Sequence, residues 1–136
     1  MRKIYFFGAG IVLLLLVVWG IQRAFRPHQN TASETADARV TATALYGEFS
    51  RDETEANKKW IGRVIEVTGH ISSVTEAGNY LSVSLGSGAG GGVICSLLKT
   101  DLKAGETPLE GQDVVIKGKC TGYLMDVTLV DCVLVK

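Results

Sequence analysis

Three cysteines, two histidines and one glycine cluster are the residues of this 136-residue chain whose types could support chemistry. A zinc site needs closely spaced Cys and His ligands that converge on one point. Cys95, Cys120 and Cys132 form no C-x-x-C pair, and His28 and His70 both lie far from them in sequence. No metal or cofactor is expected. Thiol pairing and plain burial as small hydrophobes are the remaining roles for the cysteines.

Gly86, Gly88 and Gly91 match the spacing G-x-G-x-x-G. A dinucleotide site requires a helix next, whose N-terminus holds the pyrophosphate. Here Val93, Ile94 and Cys95 continue as a strand, and no Lys-Ser or Lys-Thr follows to make a P-loop. The glycines read as a flexible hairpin loop over a groove. There is no G-x-S-x-G elbow, and the alternation around His70 places it on an exposed strand face rather than beside a nucleophile. Acidic residues are scattered, with no spacing that pairs two for glycoside hydrolysis. The chain is expected not to be an enzyme.

The elements that position these residues begin with an apolar stretch. Residues 4–21 carry no charge, follow Arg2 and Lys3, and would rise roughly 27 Å as a helix, close to the ~30 Å hydrocarbon core of a bilayer. Tyr5 and Trp19 sit near its ends, where interfacial aromatics belong. An uncleaved single-pass anchor is favoured over a cleaved signal peptide, because Arg23 and Arg26 follow and no small-x-small site stands clear of them. The domain is placed on the extracytoplasmic side, an orientation that Arg2 and Lys3 favour and Arg23 and Arg26 oppose. The expected layout is an anchor over 1–26, a polar flexible tether over 27–40 and one folded domain over 41–136. From Pro27 onward the chain holds ten basic and fourteen acidic side chains, a net charge of minus four. A nucleic-acid binder normally shows the reverse balance.

Thr41 or Thr43 can cap a short helix with Leu45 and Phe49 on one face, and Asp52 can cap a second one ending near Gly62. Leu45, Phe49 and Trp60 are then expected to pack on a sheet. From Arg63 the hydrophobic period changes to two. Strands are expected over 63–71, 81–85, 93–98, 113–120 and 125–135, with turns at 77–79, 86–92 and 121–124 and a long connection over 99–111. Five short strands with the long connection between the third and fourth match an all-β, five-stranded Greek-key barrel of OB type. A curled sheet or small sandwich is the alternative. Gly69, inside the first strand, fits the sharp bend of a barrel strand.

The segments ALYGEFSRDETEANKKWIGRVIEVTG, VICSL and LEGQDVVIKGKCTGYLMDVTLVDCVL resemble the tRNA-anticodon-binding-like family of membrane-anchored bacterial envelope proteins. The resemblance implies an OB fold on a membrane tether, and a fold alone does not carry a function. In such a barrel the third and fifth strands are neighbours, so Cys95 and Cys132 could form a disulfide. With a last turn at 121–124, Cys132 instead lies opposite Val114, about 20 Å from Cys120, beyond the ~7 Å reach of a bridge. Three buried free thiols are the other outcome.

Polymer binding on an OB face draws on aromatics and basic side chains, which singles out Tyr80, Tyr123, Lys117 and Lys119. Three classes of function follow. The first is a non-enzymatic binding module on the membrane, with an envelope protein or a glycan as partner. The second is a single-stranded nucleic-acid binder, which the charge opposes. The third is a thiol-based redox protein using the cysteines. The sequence leaves the oligomeric state open.

Overall fold

A computed structural model describes residues 2–24 and 31–135, with side chains for Gly8, 10–21 and 31–135. Helix α1 runs Arg2–Ala24. Among the described residues no helix is long and apolar enough to cross a membrane. The expected transmembrane helix is therefore not found. Part of the expected span 4–21 lies outside the residues whose side chains are described. The first part of the expected tether, up to residue 30, also falls largely outside the described residues.

The rest of the expected tether is part of the fold. Thr31 is buried, and Ala38–Thr41 forms strand β1, parallel to the strand β2 (Val64–Ala77) in the register Ala38↔Ile65 to Thr41↔Thr68. The polar composition of 27–40 concealed this, because a four-residue strand with one half-buried face leaves almost no apolar signal. The folded unit thus begins before the expected boundary at residue 41.

Helix α2 (Ala42–Arg51) starts where β1 ends. Thr41 supplies the cap, its Oγ1 accepting from the Ala44 N–H at 3.1 Å. Helix α3 (Glu53–Trp60) is capped by Asp52, whose Oδ1 accepts from the Glu55 N–H at 3.1 Å. Gly62, at φ +80, takes the left-handed conformation that ends the helical segment. Glu48 joins the two helices by accepting from the Trp60 Nε1–H at 2.7 Å and pairing with Lys59 at 2.9 Å.

The remaining strands are β3 (Tyr80–Gly86), β4 (Gly92–Leu98), β5 (Asp113–Tyr123) and β6 (Val127–Leu134). Their order is β2-β3-β4-β6-β5, and β5 pairs back onto β2 to close a five-stranded barrel. The long connection after β4 carries the chain past one strand position to β5, so that β6 returns between them, parallel to β4 and antiparallel to β5. Closure leaves β2 with two partners on one side. It pairs with β1 up to Thr68 and with β3 from His70 onward. Gly69 sits at the handover, where a Cβ would meet those of Ala42 at 3.0 Å and Leu85 at 3.1 Å. The core is the inward row of each strand, with Leu45, Phe49 and Trp60 packed against it as expected.

β2 extends past the expected end at residue 71 because a bulge between Ile71 and Ser73 turns two successive serines outward and breaks the alternation. The last hairpin turns at residues 124–126 rather than 121–124, since Tyr123 pairs with Val127. That shift moves Cys132 away from Val114 and places it next to Gly118.

Candidate functional site

The outer wall of β2, β3 and β4 is built from hydroxyls. Thr75, Ser82 and Ser96 lie in one cross-strand row, and Ser73, Ser84 and Ile94 in the next. On β3 and β4 each is the outward neighbour of buried residues in a period-two strand, so Leu81, Val83, Cys95 and Leu97 hold that part of the wall from inside. Ser72, in the bulge, donates to the Ser84 carbonyl at 3.0 Å and brings a further hydroxyl to the same edge.

The glycine-rich loop rises over one end of this wall, and it is pinned rather than flexible. The Ser87 hydroxyl donates to the Gly91 carbonyl, and the same oxygen accepts from the Ala89 N–H at 3.1 Å. Thr43 Oγ1 donates to the Ser87 carbonyl, and the Gly92 N–H donates to Asp126 Oδ1 at 2.7 Å. Gly88 and Gly90 have φ of +77 and +88, a region open chiefly to glycine. At Gly91 a Cβ would lie 2.5 Å from the Tyr46 ring, so a larger residue there would have to displace that ring for the loop to rest on α2. The cluster thus meets the demands of a tight, helix-backed loop, and the strand after it leaves no helix N-terminus for a pyrophosphate.

Between loop and wall lies a shallow groove of ≈ 420 Å³, lined by Ser72, Ser73, Ser84, the loop itself, Ile94 and Asp126. Neither Lys nor Arg lines it. Serine hydroxyls both donate and accept, and the backbone of the loop lines the groove beside them. Such a lining suits a neutral, hydroxyl-rich or amide-rich chain. It offers nothing to neutralise a run of phosphates. Among the described residues no group of three His, Cys, Asp or Glu could hold a metal ion.

The four residues singled out for polymer binding do not share one surface. Tyr80 is exposed at the start of β3, opposite Ala77 and Leu98, and ends the hydroxyl wall. Tyr123 belongs to the helical end. It stacks on Phe49 with centroids 5.5 Å apart and meets Tyr46 edge-on at 6.1 Å. Lys117 and Lys119 lie on β5, opposite Glu66 and Val64 of β2. The Lys117 Nζ is already engaged, donating to the carbonyls of Ala32 at 3.1 Å and Glu34 at 2.8 Å. His70 is exposed as expected and pairs with Asp113 at 2.9 Å. Cys95, Cys120 and Cys132 are free and buried. What sequence reasoning passed over is the serine wall. Its only signal was the polar half of each alternation, which resembles any solvated strand face.

Of the solved structures compared, a lipoprotein of Klebsiella pneumoniae subsp. pneumoniae proposed to bind nucleic acid superposes with a TM-score of 0.58 at 17% identity. The match covers 76% of this chain and 100% of that one. The Stn1–Ten1 complex of S. pombe reaches a TM-score of 0.42 at 14% identity, covering 54% of this chain and 58% of that one. An aspartyl-tRNA synthetase of Leishmania major reaches 0.44 at 11% identity, covering 88% of this chain and 25% of that one. At 17% identity the likeness to the Klebsiella lipoprotein is one of fold. No curated protein is similar enough to count as a relative. The tRNA_anti-like family model matches residues 1–134, nearly the whole chain, and the chain therefore belongs to the tRNA_anti-like family.

Proposed function

We propose that this protein is a non-enzymatic binding module whose barrel presents the β2–β3–β4 wall to a glycan chain. The observation that carries the reading is the wall itself, five hydroxyls and Ile94 in two cross-strand rows below a pinned loop, with no cationic side chain in the groove. Tyr80, at the far end of the wall, supplies a ring face on which a sugar can stack. In this reading residues 4–21 act as an uncleaved membrane anchor, with the barrel held at the extracytoplasmic surface.

The family's name and the nucleic-acid binding proposed for the Klebsiella lipoprotein favour a second reading, single-stranded nucleic acid as ligand. The net charge of minus four beyond the anchor and the engagement of Lys117 by backbone carbonyls weigh against it. The test is co-sedimentation of the full chain with purified peptidoglycan sacculi, set beside binding to a fluorescent twelve-nucleotide oligo-dT at low salt. Retention on sacculi that survives 0.5 M NaCl, without oligonucleotide binding, supports the glycan reading. Binding of oligo-dT that weakens steeply with salt replaces it with the second. Retention of neither, with capture of an envelope protein through the same wall, would make the partner a protein.

A further inference from the structure

The barrel interior holds a pair of thiols that the proposed binding does not use. β6 alternates inward and outward from Val127 to Val130, and a strict period of two would then turn Asp131 into the core and Cys132 out. A bulge prevents this. Asp131 has φ +51, the only positive φ among the described non-glycine residues. Both ladders of β6 slip beside it, between Cys95 and Leu97 on β4 and between Lys117 and Lys119 on β5. The inserted residue keeps the Asp131 carboxylate out of the core and turns Cys132 inward, where it is 1% exposed. Gly118 makes the room, since a Cβ there would lie 2.4 Å from Cys132 Sγ. On β4 the residue in register with Cys132 is Leu97, and Cys95, two residues before it, pairs with Leu129; the Cys95 thiol, 0% exposed, reaches diagonally to within side-chain hydrogen-bonding distance of Cys132. Cys120 sits on β5 opposite Leu129, outside this pair.

We propose that Cys95 and Cys132 form an oxidation site whose state is set as the barrel closes and is locked once it has closed. Folding in the presence of a disulfide oxidant gives a bridged barrel, folding without one gives a dithiol barrel, and the two forms do not interconvert while folded. In the bridging reaction one cysteine thiolate attacks the oxidant RSSR, forms a mixed disulfide and releases RS⁻. The second thiolate attacks the protein sulfur of that mixed disulfide and expels the other RS⁻. The protein loses two protons and two electrons, and RSSR leaves as two RSH. In the closed barrel neither sulfur meets solvent, and burial with the neighbouring Cys95 holds the Cys132 thiol well above its ordinary range. An external disulfide therefore reaches neither sulfur while the barrel is closed.

The full chain is refolded from denaturant with glutathione disulfide or with excess reductant. Each product is then denatured, blocked with a maleimide and weighed intact. Oxidative refolding is expected to leave one alkylatable thiol, a mass about 2 Da lower before blocking, and a Tm raised by roughly 10–20 °C. Cys120→Ala is expected to keep the bridge and Cys132→Ala to abolish it. The reductively folded protein, given the same disulfide for hours under native conditions, is expected to retain three thiols. Three free thiols after oxidative refolding, a bridge to Cys120, or oxidation of the folded barrel as fast as of the unfolded chain would each overturn the proposal.

Discussion

Two outer walls of this barrel differ in what their side chains are occupied with. On β5 and the adjoining part of β2 the wall is charged, and its charges serve the fold. Lys117 straps the carbonyls of Ala32 and Glu34, and Arg39 on β1 pairs with Glu66 on β2 at 2.7 Å. On β3 and β4 the wall carries small hydroxyls in register, and its groove has no cationic lining. The difference teaches that charge in the sequence marked where the chain binds itself. The surface best suited to a ligand is the one whose residues looked ordinary.

The largest effect expected is at Gly92, which joins the pinned loop to the hydroxyl wall. A Cβ there would lie 2.0 Å from the Leu85 carbonyl oxygen, an atom of the neighbouring backbone that cannot yield. Gly92→Ala is expected to cost about 3 kcal/mol, by the mechanism of overpacking, read as a lowered urea midpoint. A loss below ~0.5 kcal/mol would mean the wall is much looser than described.

The fold was more legible than the wall because hydrophobic period survives in a single sequence and tertiary pairing does not. Leu81, Val83 and Leu85 declared β3, and Asp52 together with Thr41 or Thr43 declared two helix starts, of which the structure selects Thr41 for the first. β1 was hidden because Ala38–Thr41 gains its place only by pairing with β2. The position of Cys132 was hidden by a bulge at Asp131, where one residue of left-handed backbone changes which side chain faces inward. The grouping of Ser73, Ser84 and Ser96 depends on the register of three strands, which no local pattern encodes.

Alkaline pH probes the interior behind both walls. Burial pushes the Cys120 thiol up to about 11 from 9.0, and Cys132 is raised as well. Below pH 9 both folded and unfolded chains keep these thiols protonated, so they contribute no pH dependence. Between about 9 and 11 the unfolded chain ionises first, and stability is expected to fall by up to ~1.4 kcal/mol per pH unit for each such thiol. Denaturant titrations at pH 8, 9 and 10 check this, and a Cys120→Ala variant should show a shallower decline. An identical slope in that variant would contradict burial as the cause.

Lys117→Met keeps the aliphatic stem and removes the strap. It is expected to cost about 1 kcal/mol, because the lost hydrogen bonds are exposed, and to speed amide exchange at Asp37 and along Ala38–Thr41. Sacculus binding should be unchanged, and its loss would move the ligand to the β5 wall. The smallest stability effect belongs to Ser84→Ala, within ~0.5 kcal/mol of wild type, yet this change should weaken retention on sacculi.

The most direct test maps the ligand onto the barrel. Amide shifts of the ¹⁵N-labelled full chain would be followed during titration with a soluble peptidoglycan oligosaccharide and, separately, with oligo-dT. The account expects the oligosaccharide to move Ser73, Ser82, Ser84, Ser96 and the loop from Ser87 to Gly92, leaving Lys117 and Lys119 still. Shifts centred on Lys117 and Lys119, or a response to oligo-dT alone, would contradict it.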